Sequence, residues 1–439
     1  MESARGIAYK ILLDAMKRST YSNIALDREL SRAELSSSDK ALCSVIVLGV
    51  TERALTLDTM IDALASRPED VEADARVLLR MGLYQLHFLD RIPNHAAVNE
   101  TVSLAPRRIR GFVNAILRSY LRAAENGGIE ALFPKKEDEP LRYLSLKHSF
   151  PEDMCRRFCE IYGFERTNAI FEVFNRAPDM TLRINTLKIS REEYAELLNG
   201  CKIEYEVSGR LPDAIKVKGV SFAALPGADE GYFFVQDEAS QACVEALEAE
   251  AGEVVIDTCS CPGSKSFGSA IRMKNEGEIF SFDLHKSKLS LIEKGAERLG
   301  IDIISVGERD GRRPDEALFG RADRVLCDVP CSGLGVIAKK PEIRYKDISE
   351  FKRLPEIQYD ILSASVNYLK AGGILVYSTC TVLPEENGDN IKKFLSEHPE
   401  FEAVDFEVCG RKSEGGILFL SPDLDGTDGF FIAKLRRKD

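Results

Sequence analysis

The stretch Val254-Val255-Ile256-Asp257-Thr258-Cys259-Ser260-Cys261-Pro262-Gly263-Ser264-Lys265-Ser266 decides the fold. Three β-favouring apolar residues run into an acid. A Pro-Gly loop follows, and then a helical pattern. Further runs of the same kind lie downstream: Glu278–Phe282 before Asp283, Arg324–Cys327 before Asp328, and Gly373–Tyr377 before Ser378-Thr379-Cys380. Short strands alternating with helical stretches predict a doubly wound α/β sheet, which binds ligands outside the carboxyl ends of its strands. The loop is not a phosphate cradle of the P-loop kind. That pattern needs Gly five residues before a Gly-Lys pair, and here Ser264 precedes Lys265. It also lacks GxGxxG spacing.

Upstream, the chain changes character. Thr181–Leu187, Ile203–Val207 and Tyr232–Val235 look like strands, and Glu192–Leu198 looks like a helix between the first two. This is a small α+β unit. Residues 1 to about 125 read as helix after helix. Ser36-Ser37-Ser38-Asp39 offers N-caps for Ala41–Leu48, Arg76–Leu89 continues the pattern, and Asn94 is placed to cap Ala96–Leu104. Asn126-Gly127-Gly128 breaks the module and Lys135–Pro140 is a polar linker. A helix starting at Pro151 carries Cys155 and Cys159 one turn apart. With no third ligand nearby, these are packing residues. The expected domains are 1–127, all-helical; 128–180, linker and helical segment; 181–250, small α+β; and 251–439, α/β.

Composition narrows the function. The chain has 439 residues and a formal net charge of −12, with 59 Lys+Arg against 71 Asp+Glu. The acidic excess lies beyond residue 127. Residues 101–124 hold Arg107, Arg108, Arg110, Arg118 and Arg122 and no acid. Guanidinium forks suit phosphate oxygens, so these five are candidate RNA contacts; the alternative is a solvated helix face. No apolar run approaches a membrane span. Charged residues within the first apolar stretch argue against a secretory signal. Eleven Cys, no CxxC and five scattered His fit a reducing cytoplasm and no structural metal.

Four acids, Asp257, Asp283, Asp310 and Asp328, fall at or near strand ends. They repel a polyphosphate but suit a cationic ligand carrying adenosine, and S-adenosylmethionine has that shape. Asp283 is placed to accept from ribose hydroxyls. Two thiols, Cys331 and Cys380, follow the last two of these strands. A pyrimidine C5 becomes nucleophilic when a thiolate adds at C6, and an acid near N3 assists that addition. Asp328, Cys331 and Cys380 suit this work, although free Cys is also a common core filler.

These motifs, with Tyr377–Asn387 and Asp428-Gly429-Phe430-Phe431, resemble those of the RNA (cytosine-5)-methyltransferases of the Sun/NOL1/NOP2 family. Residues 1–125, through Arg80–Leu86, Val98-Asn99-Glu100 and Phe112–Arg118, resemble a NusB-type RNA-binding module. The pairing is similar to the B-type branch acting on bacterial 16S rRNA. The resemblance implies a NusB-like helical domain, an RRM-like subdomain and a Rossmann-like methyltransferase domain. It implies Cys380 as nucleophile, Cys331 in product release and Asp328 in cytosine activation. It implies S-adenosylmethionine held by Cys259, Ser260, Cys261, Pro262, Gly263, Ser264, Lys265, Asp283, Asp310 and Asp328. The implied partner is 16S rRNA, at the cytosine conventionally numbered 967, met by a monomer in the cytoplasm. Two alternatives stay open: tRNA as substrate, and a non-catalytic assembly factor. Older DNA enzymes use the Pro-Cys thiol as nucleophile, so a swap of thiol roles is also open. The family loop reads Ala-Ala-Pro-Gly-Gly-Lys. Ser264 stands where it has its second glycine, so a positive φ at that position would carry strain.

Overall fold

The computed structural model describes residues 3–18, 22–129 and 133–439. The chain forms two compact units, one of Met1–Arg176 with Ile337–Ile348, the other of Ala177–Val336 with Ser349–Asp439.

The first unit is helical. Apolar residues at helical spacing, such as Ile7, Ile11, Ile46, Val50, Leu79 and Leu83, close on a single core. Helix Ser37–Glu52 is capped as its sequence asks, with Asp39 N donating to Ser36 Oγ at 3.1 Å. Two expected helix starts shift. The helix Asn94–Leu104 includes Asn94 as its first residue behind Pro93, which offers no side-chain cap. Pro151 stands just outside the helix Glu152–Tyr162, which ends at Gly163 with φ +75°. Residues 337–348 leave the second unit's chain path to pack here. Arg344, fully buried, donates to Glu52 O (3.2 Å), His148 O (3.2 Å) and Asn175 Oδ1 (2.7 Å).

The second unit opens with strands β1 (Met180–Ile184), β2 (Tyr205–Val207), β3 (Ala214–Val217) and β4 (Phe233–Val235). They form an antiparallel sheet in the order β2-β3-β1-β4. β1 stops at Ile184, three residues short of the expected end, and Asn185 Nδ2 donates to Gly231 O and Leu299 O instead. β3 is too short and its alternation too weak to stand out in the sequence.

The main sheet holds β5 (Val254–Asp257), β6 (Glu278–Asp283), β7 (Ile304–Glu308), β8 (Ala322–Asp328), β9 (Leu369–Thr379) and β10 (Phe401–Ala403). After the small ladder β11 (Glu407–Val408) with β12 (Arg411–Lys412) come β13 (Ile417–Leu420) and β14 (Phe430–Arg437). β7-β6-β5-β8-β9 run parallel. β14 lies antiparallel against β9, and β10 and β13 share its outer edge. Successive residues of each strand face different cores. Val255, Ile279, Leu326 and Val376 pack under the helices Glu238–Leu247, Ser264–Arg272 and Lys286–Leu299. Ile256, Val325, Leu375 and Tyr377 pack under Leu354–Ser365 and Gly388–Glu397. Burial on both faces explains the continuous apolar runs. Among the described residues no helix is long and apolar enough to cross a membrane.

Candidate active site

The parallel strands deliver their carboxyl-end residues to one edge of the sheet. β8 and β9 pair with Asp328 opposite Ser378, and Ser378 Oγ donates to Asp328 Oδ1 at 2.6 Å. The other oxygen, Oδ2, lies 2.6 Å from Lys265 Nζ, which reaches over from the first turn of the helix Ser264–Arg272. Burial alone would lower the pKa of this ammonium. Asp328 more than offsets that and holds it above its ordinary value. Cys380 lies within the electrostatic reach of the same ammonium.

The two thiols are not joined in a disulfide and are half-buried, with Sγ atoms 3.2 Å apart. The Cys331 thiol is pushed well above its ordinary pKa. The hydrogen bond with Cys380 contributes most, then burial, then neighbouring acids including Glu386 and Asp328. Either sulfur of the pair can be the donor, so the geometry brings the two thiols within proton-exchange distance of each other. Gly335 N donates to Cys380 O at 2.9 Å, which ties one thiol loop to the other.

The Pro-Gly loop is pinned between neighbouring strands. Ser260 donates both N–H and Oγ–H to Phe282 O, at 2.8 and 2.9 Å, and Thr258 N donates to Leu326 O. Gly263 takes φ +109°, and a Cβ there would meet the Phe267 ring at 2.5 Å. Ser264 is already helical and has no positive φ. The strain expected at Ser264 is therefore absent, because the left-handed residue is its neighbour Gly263.

Asp257 is buried. Its Oδ2 accepts from Ser266 Oγ (2.6 Å), which is bonded to Ser281 Oγ (2.8 Å), while its Oδ1 has no partner. Burial pushes its carboxyl up to about 7. Asp283 accepts from His285 N (2.9 Å) and Cys261 N (3.3 Å), and each oxygen keeps a free lone pair. Asp310 is taken up by a bidentate pair with Arg312, at 2.9 and 2.7 Å, which holds its carboxyl below the ordinary value. Cys259 and Cys261 are loop thiols raised by burial, and Cys261 Sγ donates to Lys288 O. Pro262 is exposed beside them.

In the helical unit all five sequence-selected arginines are exposed, on the helix Arg110–Glu125 and the loop before it. Arg108 pairs with Glu72 and lies 4.0 Å from Asp74, and Arg110 donates to Ala105 O. Among the described residues Arg118 and Arg122 bond to Asn114 and Ser119 on their own helix. Sequence reasoning missed the acids facing Arg108, since they come from another helix. It also missed Ser378, hidden inside an apolar strand, and read Lys265 as a loop residue rather than the partner of Asp328.

The sequence profile of the 16S rRNA methyltransferase RsmB/F family matches residues 244–436. The NusB family profile matches residues 2–122, and the ferredoxin-like domain of RsmF/B-like methyltransferases matches 150–221. The chain is 37% identical to the probable ribosomal RNA small subunit methyltransferase B of Bacillus subtilis, over 99% of each chain. It is 34% identical to the ribosomal RNA small subunit methyltransferase B of Klebsiella pneumoniae, over 92% of each. The solved methyltransferase homolog from Pyrococcus horikoshii is similar over 67% of this chain and 97% of its own, with 27% identity and a TM-score of 0.59. With profile matches in both units and this identity along the whole length, the chain belongs to the 16S rRNA methyltransferase RsmB/F family.

Proposed function

We propose that this chain transfers a methyl group from S-adenosylmethionine to C5 of a cytosine in 16S rRNA, through a covalent bond between Cys380 and C6. The observation that carries this reading is the pair of sulfurs at 3.2 Å beside a strand-end carboxylate and its ammonium. An acceptor near the glycine loop fits the donor: the half-open Asp283 offers lone pairs to ribose hydroxyls and nothing to a phosphate. When bound, the sulfonium supplies the methyl group.

The chain's own residues do the rest. The target base leaves its stack to reach the thiols. Cys380 Sγ bonds to C6, and the Lys265–Asp328 pair supplies the proton at N3 that the ring needs as it accepts the sulfur. Electron density reaches C5, which takes the methyl group. Cys331 serves in release: with its own proton passed to solvent, its thiolate takes the C5 proton, the Cys380–C6 bond breaks with its electron pair leaving on Cys380, and the N3 proton returns to the Lys265–Asp328 pair. Arg107, Arg108, Arg110, Arg118 and Arg122 hold RNA backbone. The substrate is 16S rRNA, free or in a small-subunit precursor, met in the cytoplasm by a monomer. The B-type resemblance favours the cytosine conventionally numbered 967.

Cys380→Ala is expected to abolish methyl transfer. Cys331→Ala is expected to accumulate an RNA–protein adduct that survives denaturing electrophoresis. Full turnover by Cys380→Ala ends the proposal. Mapping 5-methylcytosine in total RNA from a deletion strain tests the substrate, and a lost mark in tRNA alone overturns the rRNA assignment.

A further inference from the structure

Cys331 and Cys380 sit on irregular loops after β8 and β9, so the sheet alone does not set the distance between their sulfurs. Both peptide groups flanking Cys331 are tied to side chains. Pro330 O accepts from Gln358 Nε2 at 2.9 Å, and Ser332 N donates to Glu386 Oε2 at 2.9 Å. The same Gln358 Nε2 donates to Glu386 Oε2 at 2.8 Å. On the other loop Thr381, the residue after Cys380, donates its hydroxyl to Glu386 Oε1 at 3.3 Å. Its oxygen also lies 2.6 Å from Ser332 Oγ. Asn387 Nδ2 donates to Thr381 O at 3.0 Å. Glu386, Gln358 and Thr381 are each 0% exposed.

A buried carboxylate with donors arriving from both thiol loops is costly to place unless those bonds are made. We propose that Glu386 is a positioning residue for the thiol pair, its carboxylate bridging the Cys331 and Cys380 loops and setting the sulfur–sulfur separation. This rests on the reading that both thiols take part in methyl transfer. A glutamine can keep the bridge. Its carbonyl oxygen accepts from Ser332 N and Gln358 Nε2, and the Thr381 hydroxyl turns to accept from its amide. An alanine removes all three bonds to the bridge and strands Ser332 N, while Gln358 Nε2 keeps Pro330 O and the Thr381 hydroxyl keeps Ser332 Oγ.

The test compares Glu386→Gln with Glu386→Ala in the full chain, using two readouts. In steady-state methylation, Glu386→Ala is expected to lower kcat about tenfold or more with KM for S-adenosylmethionine unchanged, and Glu386→Gln to recover most of kcat. The second readout needs no methyl transfer. A diazene oxidant such as diamide takes two electrons and two protons from the thiols, leaving a Cys331–Cys380 disulfide and a hydrazine. Peptide mass analysis follows its rate. The native chain and Glu386→Gln are expected to cross-link alike, and Glu386→Ala about tenfold more slowly. Should Glu386→Ala fail to fold, Thr381→Val, which cuts one arm at constant volume, carries the comparison. Native cross-linking in the alanine or valine variant overturns the proposal, whatever happens to kcat. Slowed cross-linking with native kcat leaves the bridge standing and counts against the thiols' assigned roles.

Discussion

Lys265 shows how far a single residue's role depends on its partner. The residue is 8% exposed, and its ammonium has a carboxylate oxygen at 2.6 Å. Asp328, by contrast, has a side chain 27% exposed and a second donor in Ser378. Removing the carboxylate strands a buried cation, whereas removing the cation leaves an anion that is still hydrogen-bonded and partly wet. Asp328→Asn is therefore expected to lower the melting temperature more than Lys265→Met. Both are expected to cost about 100-fold or more in kcat. The reverse thermal order, read by calorimetry, contradicts this account of the pair.

Asp257 carries a pH signature. Burial raises its folded pKa to about 7 from the ordinary 3.8, so between those values the folded chain binds a proton that the unfolded chain has released. The stability this supplies is complete below the unfolded pKa. It is lost as pH rises through the folded pKa, at up to about 1.4 kcal/mol per pH unit. Asp257→Asn keeps an acceptor for Ser266 but does not titrate. Its stability relative to the native chain is expected to improve from about pH 4.5 to about pH 7.5 in denaturant melts. A constant difference across that range means Asp257 is ionised throughout.

At the scale of elements, the glycine loop assigns conformational strain to one residue only. Gly263→Ala meets both a φ of +109° and the Phe267 ring. It is expected to cost about 1–3 kcal/mol and to weaken S-adenosylmethionine binding measured by calorimetry. Ser264 sits in the first helical turn, where glycine is the poorer residue. Ser264→Gly is expected to lower stability by up to about 1 kcal/mol without improving cofactor affinity. A tenfold gain in affinity would reinstate strain at Ser264. The strands the sequence displays and those it conceals divide on the same physics. β5, β6, β8 and β9 are buried on both faces and stand out as apolar runs. β7, with Gly307 and Glu308 and mixed exposure, does not.

At the scale of the whole chain, residues 337–348 belong to the helical unit although the sequence around them codes the sheet. Arg344 gathers carbonyl and amide oxygens from residues as remote as Glu52 and lies 4.6 Å over the Phe150 ring. Arg344→Lys keeps the charge but cannot reach three acceptors in one plane. It is expected to destabilise this unit by about 2–3 kcal/mol, seen as loss of amide protection in Glu152–Tyr162 and Phe164–Phe174 by hydrogen exchange. Unchanged protection there would mean the fork is dispensable.

Residue chemistry and spacing alone determined the α/β order, the helical module, and the acids and thiols that end the strands. Those features are local: a run of buried β-formers, a helical repeat or a Pro-Cys next to an acid is visible within a few residues. The tertiary structure alone decided which of them meet. The lysine of the loop closes on Asp328, Asp310 is claimed by Arg312, and a buried glutamate from the turn after β9 bonds the backbone N–H beside one sulfur and the threonine hydroxyl beside the other. The first and last of these join residues 63 and 54 positions apart, and even the Asp310–Arg312 pair depends on how its turn is folded. Their energies depend on burial and on a hydrogen-bond partner being within reach, and neither is encoded in any short stretch of chain.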